Sequence, residues 1–342
     1  MPAQTHVLLQ NMEGCSDENP IPLYGESVER FRALLSVIYE LPLQLQIYNT
    51  PDANVDQLLT IAEMANKYHF ASIETWAVSA LYNVLTGMHG PPQPQHELGH
   101  CSSAWMKQFL EVALLCGHTA LRDHVAERWV DRIVARDLRP IDALEIADRS
   151  GIRRLQGYSY YVQLFEMGDN FDPCVVEDDS RLDTAFAVAS SNGNGDDSTS
   201  ASARKGTSVS VTREQRERLL LGHWSLSRLW EKLRTNPPKF KQSEACTNHQ
   251  QQCLSTWKQV WWDLGKSEST LKHPSWDVPG RLRAMQRQLF MTVDIQLTPQ
   301  CYRGLTVALK ATIKEVQEGL ADHFVHLSHT LEVQGPTKGA SS

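Results

Sequence analysis

The sequence has no run of apolar residues long enough to cross a membrane, which takes roughly 20 in succession. It also has no excess of positive charge, because 33 lysines and arginines stand against 40 acidic residues, for a formal net charge of −7. A nucleic-acid footprint needs a basic face, which this balance does not provide over the whole chain. We therefore expect no membrane insertion, and we do not expect nucleic acid to be the principal partner.

Motifs of the common catalytic classes are missing as well. The chain has no Gly-x-Ser-x-Gly elbow and no paired-carboxylate motif. The glycine pair Gly193 and Gly195 lies in a polar segment, with no strand before it and no helix directly after it, so it does not predict a phosphate loop. These absences favour a chain that is not an enzyme and that needs no cofactor.

The cysteines do not form the even, regularly spaced set of a disulfide framework. Seven are scattered along the chain: Cys15, Cys101, Cys116, Cys174, Cys246, Cys253 and Cys301. The segment Met1–Gln10 lacks the basic residues and apolar core of a secretory signal. We expect an intracellular protein with reduced thiols, in the cytoplasm or the nucleus.

A polar segment divides the chain. Residues 168–211 are rich in serine, glycine, asparagine and aspartate, a composition that predicts a disordered acidic linker. Before it we expect an N-terminal domain over residues 1–87 and a helical extension over residues 88–167. After it we expect a C-terminal all-α domain over residues 212–330 and a disordered tail over residues 331–342. The whole is expected to be mainly α.

Apolar residues spaced three and four apart predict the helices before the linker. Ser27 caps a helix from Val28 to Tyr39, Asn54 caps one that extends to His69, and Ser72 opens a third that ends at Gly87. Asn19–Leu23 is predicted as an edge strand, because of its prolines. Further helices are expected over four ranges: Ser103–Cys116, Thr119–Ala135, Ile141–Arg149 and about Leu155–Phe165.

The same spacing resumes after the linker. Thr212 and Gln215 form a capping-box pattern at the start of a helix that ends before Pro237. Shorter helices are predicted over Cys253–Leu264 and Gly280–Phe290. The last and longest helix is expected to start at Pro299, with an apolar stripe that extends to Phe324.

Three N-terminal motifs, in order, resemble the second half of a BTB/POZ domain in the form found in fungal proteins. The segment Ser16–Leu23 resembles a strand of that family, and Phe31–Tyr39 is similar to its F-x-x-L-L-x-x-I/L-Y helix. Leu58–Phe70, followed by Ile73–Leu81, looks like its closing helix pair. The resemblance covers about residues 8–86 and implies a partial BTB/POZ-like helical domain.

The resemblance implies a protein-interaction module. Such domains commonly serve as adaptors for a cullin-type ubiquitin ligase or for a transcriptional regulator. Their complete form begins with an N-terminal strand and helix, which usually form the dimer interface. A hairpin and helices with a D-x-x-F-x-V signature follow, and this part has no match in this sequence. We therefore expect protein partners, but homodimerisation through that interface is in doubt.

The residues that the resemblance places at a partner-binding edge are Tyr39, Glu40 and Leu41, where the first helix ends. They would present an apolar and acidic edge to a partner. In the alternative interpretation, Tyr39 closes the helix against the core.

A second candidate is a metal site formed by Cys246, His249 and Cys253. Zinc is usually held by four thiolate or imidazole ligands, so a fourth ligand is needed, for which His223 and Cys301 are candidates. A packed cluster of thiols is the alternative, and a Cys246–Cys253 disulfide is disfavoured in a reducing compartment.

Two other functions from different classes stay open. The first is a DNA-associated transcription factor that uses the C-terminal helices, where Lys232, Arg234, Lys239 and Lys241 concentrate positive charge. The second is an enzyme of unknown class in the C-terminal domain, which a convergent polar pocket would favour.

Among other side chains, Trp262 is a candidate exposed anchor, and the loop histidines His89, His96 and His100 are expected to be exposed to solvent.

Overall fold

The computed structural model describes residues 20, 25–41, 44–88, 90–168, 211–242, 246–247, 249–291 and 297–325. Within these ranges the chain is mainly α-helical, as predicted, and its one β contact is an isolated bridge between Met88 and Gly90. Residues 169–210, which make up nearly all of the predicted linker, and the predicted tail 331–342 lie outside the described residues. So does the predicted strand Asn19–Leu23, apart from Pro20.

The chain forms two compact units, one up to Val125 and one from Ala126 onward. The domain bounds expected from the sequence stay a prediction. None of the described helices combines the length and the apolar character that a membrane crossing requires.

Among the described residues, the first unit contains four helices and the start of a fifth. Their bounds are α1 Val28–Tyr39, α2 Val55–Lys67, α3 Ala71–Leu85, α4 Ser103–Leu115 and α5 Thr119–Val134, the last of which continues into the second unit. A 3-10 turn, Gln44–Asn49, lies between α1 and α2.

Local capping explains where the first two helices begin. The Ser27 side chain accepts a hydrogen bond from the Arg30 backbone N–H at 3.2 Å, and Asn54 accepts one from Gln57 at 3.0 Å. The third helix starts at Ala71, one residue before the predicted Ser72, and the Phe70 side chain provides no cap.

Helix α2 lies at the centre of the first unit and packs against α1, α3 and α4. Leu34 of α1 meets Met64 and Ala65 of α2 in a fully buried cluster. The rings of Phe31 and Tyr68 close that cluster edge to face, with centroids 5.8 Å apart. Burial of this apolar face provides the packing energy of the unit.

The second unit contains the remaining helices. Their bounds are α6 Ile141–Ser150, α7 Arg153–Met167, α8 Arg213–Thr235, α9 Leu254–Lys266, α10 Glu268–Leu271, α11 Val278–Met291 and α12 Pro299–Glu318. A π-helical turn, His249–Cys253, precedes α9, and a 3-10 turn, Leu320–Phe324, follows α12. The predicted capping box is confirmed in both directions between Thr212 and Gln215.

The core of the second unit is rich in tryptophan. The indole rings of Trp129, Trp230, Trp257 and Trp261 are almost completely buried. Helix α7 packs against α8, so that segments on both sides of residues 169–210 belong to the same unit.

The last predicted helix is shorter than expected. Helix α12 ends at Glu318 with 20 residues, while α8 has 23, and Gly319 separates α12 from the 3-10 turn. Leu320 and Phe324 are buried as predicted, but they lie on this turn, which packs against α7 and α8.

Candidate functional site

Four metal-ligating side chains converge in the second unit: Cys246, His249, Cys253 and Cys301. All four are buried, and their ligand atoms lie within 4.8 Å of one another. The sequence predicted the first three as a group and named the fourth as a candidate partner.

Three separate chain segments position these side chains. The Gln242 side chain donates a hydrogen bond to the Cys246 carbonyl oxygen at 2.8 Å, which fixes the chain before the π-helical turn. That turn, His249–Cys253, brings its two end residues toward the same point. Cys301 lies in the first turn of α12, where its backbone N–H reaches the Thr298 hydroxyl oxygen at 3.4 Å.

Two distances within the cluster match those between ligands of one metal ion. The Sγ atoms of Cys246 and Cys253 lie 3.7 Å apart, and Nδ1 of His249 lies 3.4 Å from Sγ of Cys301. A disulfide needs sulfur atoms about 2.0 Å apart, so Cys246 and Cys253 are not bonded. The His249 ring meets the Phe240 ring edge to face, with centroids 5.0 Å apart.

The surroundings of Cys253 favour its protonated thiol in the absence of a cation. Burial raises the pKa of Cys253, and the nearby Cys246 and Cys301 thiols raise it further. A hydrogen bond from the Thr298 backbone acts in the opposite direction. A soft cation at the centre would reverse this preference, because it stabilises thiolates directly.

His223, the other candidate for the fourth ligand, is not in the cluster. Its ring lies beside Trp276, with centroids 6.2 Å apart, and burial lowers its pKa. Sequence spacing could not choose between His223 and Cys301, since both are far along the chain from His249. The available signal was the apolar stripe of α12: Cys301 lies four residues before the buried Leu305 and therefore on the same face of the helix.

The predicted partner-binding edge lies in the first unit, at the end of α1. Tyr39 is 80% exposed and Leu41 is 67% exposed, while the preceding Ile38 is 39% exposed. This exposure disfavours the alternative in which Tyr39 closes the helix against the core. Two large apolar side chains are therefore available to a partner.

Glu40 differs from its two neighbours. Its backbone N–H ends the helix by donating to the Ser36 carbonyl oxygen at 2.8 Å. One carboxylate oxygen is buried and has no hydrogen-bond partner among the described residues. Burial raises the pKa of the Tyr48 phenol, and the charge of the nearby Glu40 raises it further. The acidic component of the edge is thus partly turned inward.

Trp262 and the loop histidines, which the sequence also singled out, have contrasting environments. Trp262 is 40% exposed as predicted, with the Lys266 ammonium 4.2 Å from its ring centroid. His96 is 2% exposed, which corrects the expectation of a solvent-exposed loop histidine. Its ring packs edge to face on Trp105 at 4.5 Å. His100 is exposed, and His89 lies outside the described residues.

A groove of about 440 Å³ in the second unit is lined by three polar side chains and three apolar ones. Its one carboxylate, Asp263, accepts hydrogen bonds from Gln259 at 3.0 and 3.1 Å. The other lining residues are Val260, Leu264, Ser267, Gln288 and Met291. Among the described residues, this lining has neither a second carboxylate nor an imidazole or thiol, so those residues offer no pair of groups for acid–base or nucleophilic chemistry.

No protein-family model, no curated protein and no solved structure matches this chain.

Proposed function

We propose that the chain is a non-catalytic protein-interaction module that acts as an adaptor of the BTB/POZ type. In this proposal the edge at the end of α1 contacts the partner through Tyr39 and Leu41. The observation that carries it is the exposure of these two side chains, 80% and 67%, at the position where the resemblance puts a partner-binding edge.

The chemistry of this edge supports protein binding. Tyrosine is among the residues that contribute most to interfaces, because it buries a large rigid ring and keeps a polar hydroxyl. The edge also has a local hydrogen bond: the Leu41 N–H donates to the Gln44 side chain at 3.1 Å, and Gln44 begins the 3-10 turn. A preorganised apolar edge costs little ordering entropy when it binds.

The partner proposed first is the N-terminal domain of a cullin, because adaptors of this type link a bound protein to that scaffold. We expect the full chain to bind it, and the double change Tyr39→Ala and Leu41→Ala to weaken binding at least about 10-fold. A pair of interface anchors commonly contributes more than about 1–2 kcal/mol, which corresponds to that factor. Isothermal titration calorimetry of both proteins measures the difference.

The matched control is Leu115→Ala, which removes another exposed leucine of the first unit, 52% exposed at the end of α4. It should leave the affinity unchanged. If the full chain does not bind the cullin domain even at high concentration, the ubiquitin-ligase adaptor is excluded. Equal weakening by Leu115→Ala would exclude the Tyr39–Leu41 edge as the contact.

A further inference from the structure

We propose that Cys246, His249, Cys253 and Cys301 form a structural zinc site in the second unit. The first support is geometric. With Zn–S bonds of about 2.3 Å and a Zn–N bond of about 2.0–2.1 Å, a regular tetrahedron has S···S edges of about 3.8 Å and S···N edges of about 3.6 Å. The corresponding distances here are 3.7 Å between Cys246 and Cys253 and 3.4 Å between His249 and Cys301.

The second support is that the ligand set is complete and closed. Three thiols and one imidazole make a Cys3His set, and all four residues are buried. Four protein ligands leave no coordination position for water or substrate, which is the mark of a structural site and not of a catalytic one.

The donor types select the metal. Thiolate and imidazole ligands in a tetrahedral arrangement suit Zn²⁺, whereas Mg²⁺ and Ca²⁺ require oxygen ligands. When Zn²⁺ binds, the three cysteines lose their protons to solvent and the imidazole binds through its neutral nitrogen. No electron is transferred, so the reaction needs no oxidant or reductant.

The site would link parts of the fold that are distant in sequence. His249 and Cys301 are 52 residues apart, and they belong to the turn before α9 and to the first turn of α12. A bound ion therefore holds the start of α12 against the start of α9. Metal binding of this kind stabilises the folded state, because the unfolded chain has no preformed site.

The first test is the metal content of the full chain, purified without a histidine tag and under reducing conditions. We expect about one zinc ion per chain by elemental analysis. Exchange with Co²⁺ should produce the intense visible absorption of tetrahedral cobalt with thiolate ligands. Removal of the ion by a chelator should lower the melting temperature, and added Zn²⁺ should restore it.

Variants separate metal ligation from simple packing. His249→Cys keeps four ligands and should retain the zinc ion. His249→Gln should weaken zinc binding at least about 100-fold, because even the loss of a group that only orients a ligand lowers metal affinity roughly 10- to 100-fold. Cys301→Ser should also lose the metal. The control is Cys116→Ser, in the first unit and outside the cluster, which should change neither metal content nor cobalt spectrum.

Circular dichroism identifies any variant that fails to fold, and the chelator and cobalt experiments on the unaltered chain do not depend on such variants. The proposal is overturned if the folded, reduced chain contains no zinc and binds neither added Zn²⁺ nor Co²⁺. It is also overturned if bound metal persists at the same stoichiometry in a folded Cys301→Ser variant.

Discussion

Two glycines of the second unit are positions where a β-carbon would collide with the 3-10 turn Leu320–Phe324. A β-carbon on Gly157 of α7 would lie 2.6 Å from the Ala321 backbone nitrogen, and one on Gly222 of α8 would overlap the Phe324 ring. Glycine weakens a helix by roughly 1 kcal/mol relative to alanine. Here it permits the close approach of the turn to both helices.

Gly222→Ala should therefore destabilise the second unit, by about 1–3 kcal/mol in the free energy of unfolding. The Phe324 ring cannot move aside freely, because it is buried and stacks on Tyr160 with centroids 5.3 Å apart. Denaturant unfolding followed by tryptophan fluorescence measures the change.

The control is Gly265→Ala in α9. Its β-carbon would have no neighbour nearer than a carbon of Arg234 at 3.9 Å, which is ordinary contact. This change should be neutral, or stabilising by up to about 1 kcal/mol. If both substitutions have the same effect, the close approach of Phe324 is not what requires glycine at position 222.

At the scale of the element, one buried carboxylate connects α7 to the start of α11. Asp277 is 2% exposed and precedes α11. It accepts hydrogen bonds from the Gly280 backbone at 2.8 Å and from the Tyr161 hydroxyl, and it pairs with Nδ1 of His273 at 2.7 Å. Arg281 donates in turn to the His273 carbonyl oxygen at 2.9 Å. Such a connected network satisfies the buried charge.

Tyr161→Phe should cost about 1–3 kcal/mol of the free energy of unfolding, because it removes a hydrogen bond to a buried charged group and keeps the ring. The pKa of Tyr161 is raised by burial and by the Asp277 charge. At neutral pH the phenol therefore keeps its proton and donates a hydrogen bond to Asp277. The measurement is denaturant unfolding at neutral pH.

Tyr158→Phe is the comparison, because Tyr158 is half-buried on the same helix and its hydroxyl has no side-chain partner such as Asp277 among the described residues. It should change stability by less than about 0.5 kcal/mol, because no hydrogen bond to a buried charge is lost. Equal losses in the two variants would show that the Asp277 network does not hold α7 to α11.

At the scale of the whole molecule, we expect one buried histidine in the first unit and two partly buried histidines in the second to make stability depend on pH. Burial lowers the pKa of His96 in the first unit and of His223 and His323 in the second. The unfolded chain takes up protons on these residues near pH 6.5, and the folded chain does so only at lower pH. The stabilisation is complete above about pH 6.5 and is lost as the pH falls from there toward the folded-state pKa values.

His96→Phe should reduce the loss of stability between about pH 7.5 and about pH 5.5. Phenylalanine keeps the edge-to-face contact with Trp105 and removes the titrating ring, whose nitrogens have no hydrogen-bond partner among the described residues. The Asp56 carboxylate, 3.9 Å from Nε2, opposes the effect of burial but is itself exposed.

Unfolding free energies at the two pH values, for the unaltered chain and the variant, give the comparison. His100→Phe is the control, since His100 is exposed and its replacement should leave the pH dependence as it was. If stability depends on pH in the same way in the unaltered chain and in His96→Phe, the buried His96 does not contribute to that pH dependence.

Much of the helical architecture could be predicted from local sequence. Helix α1 has the predicted bounds, and its Ser27 cap and the Thr212–Gln215 capping box are confirmed. These features depend on residues within one helical turn of each other, so a short stretch of sequence contains the information. The break at Gly319 was missed, because the apolar stripe of α12 continues through it into the 3-10 turn.

The sequence by itself determined the mainly α-helical character, the starts of the helices capped by Ser27, Asn54, Thr212 and Thr298, and the exposure of Trp262, because spacing and capping act over a few residues. Only the tertiary structure decided that Cys301 joins Cys246, His249 and Cys253, that His223 does not, and that His96 is buried. It also decided which glycines tolerate no β-carbon. These outcomes depend on segments that are distant along the chain and meet only when their apolar faces pack, which residue spacing alone does not encode.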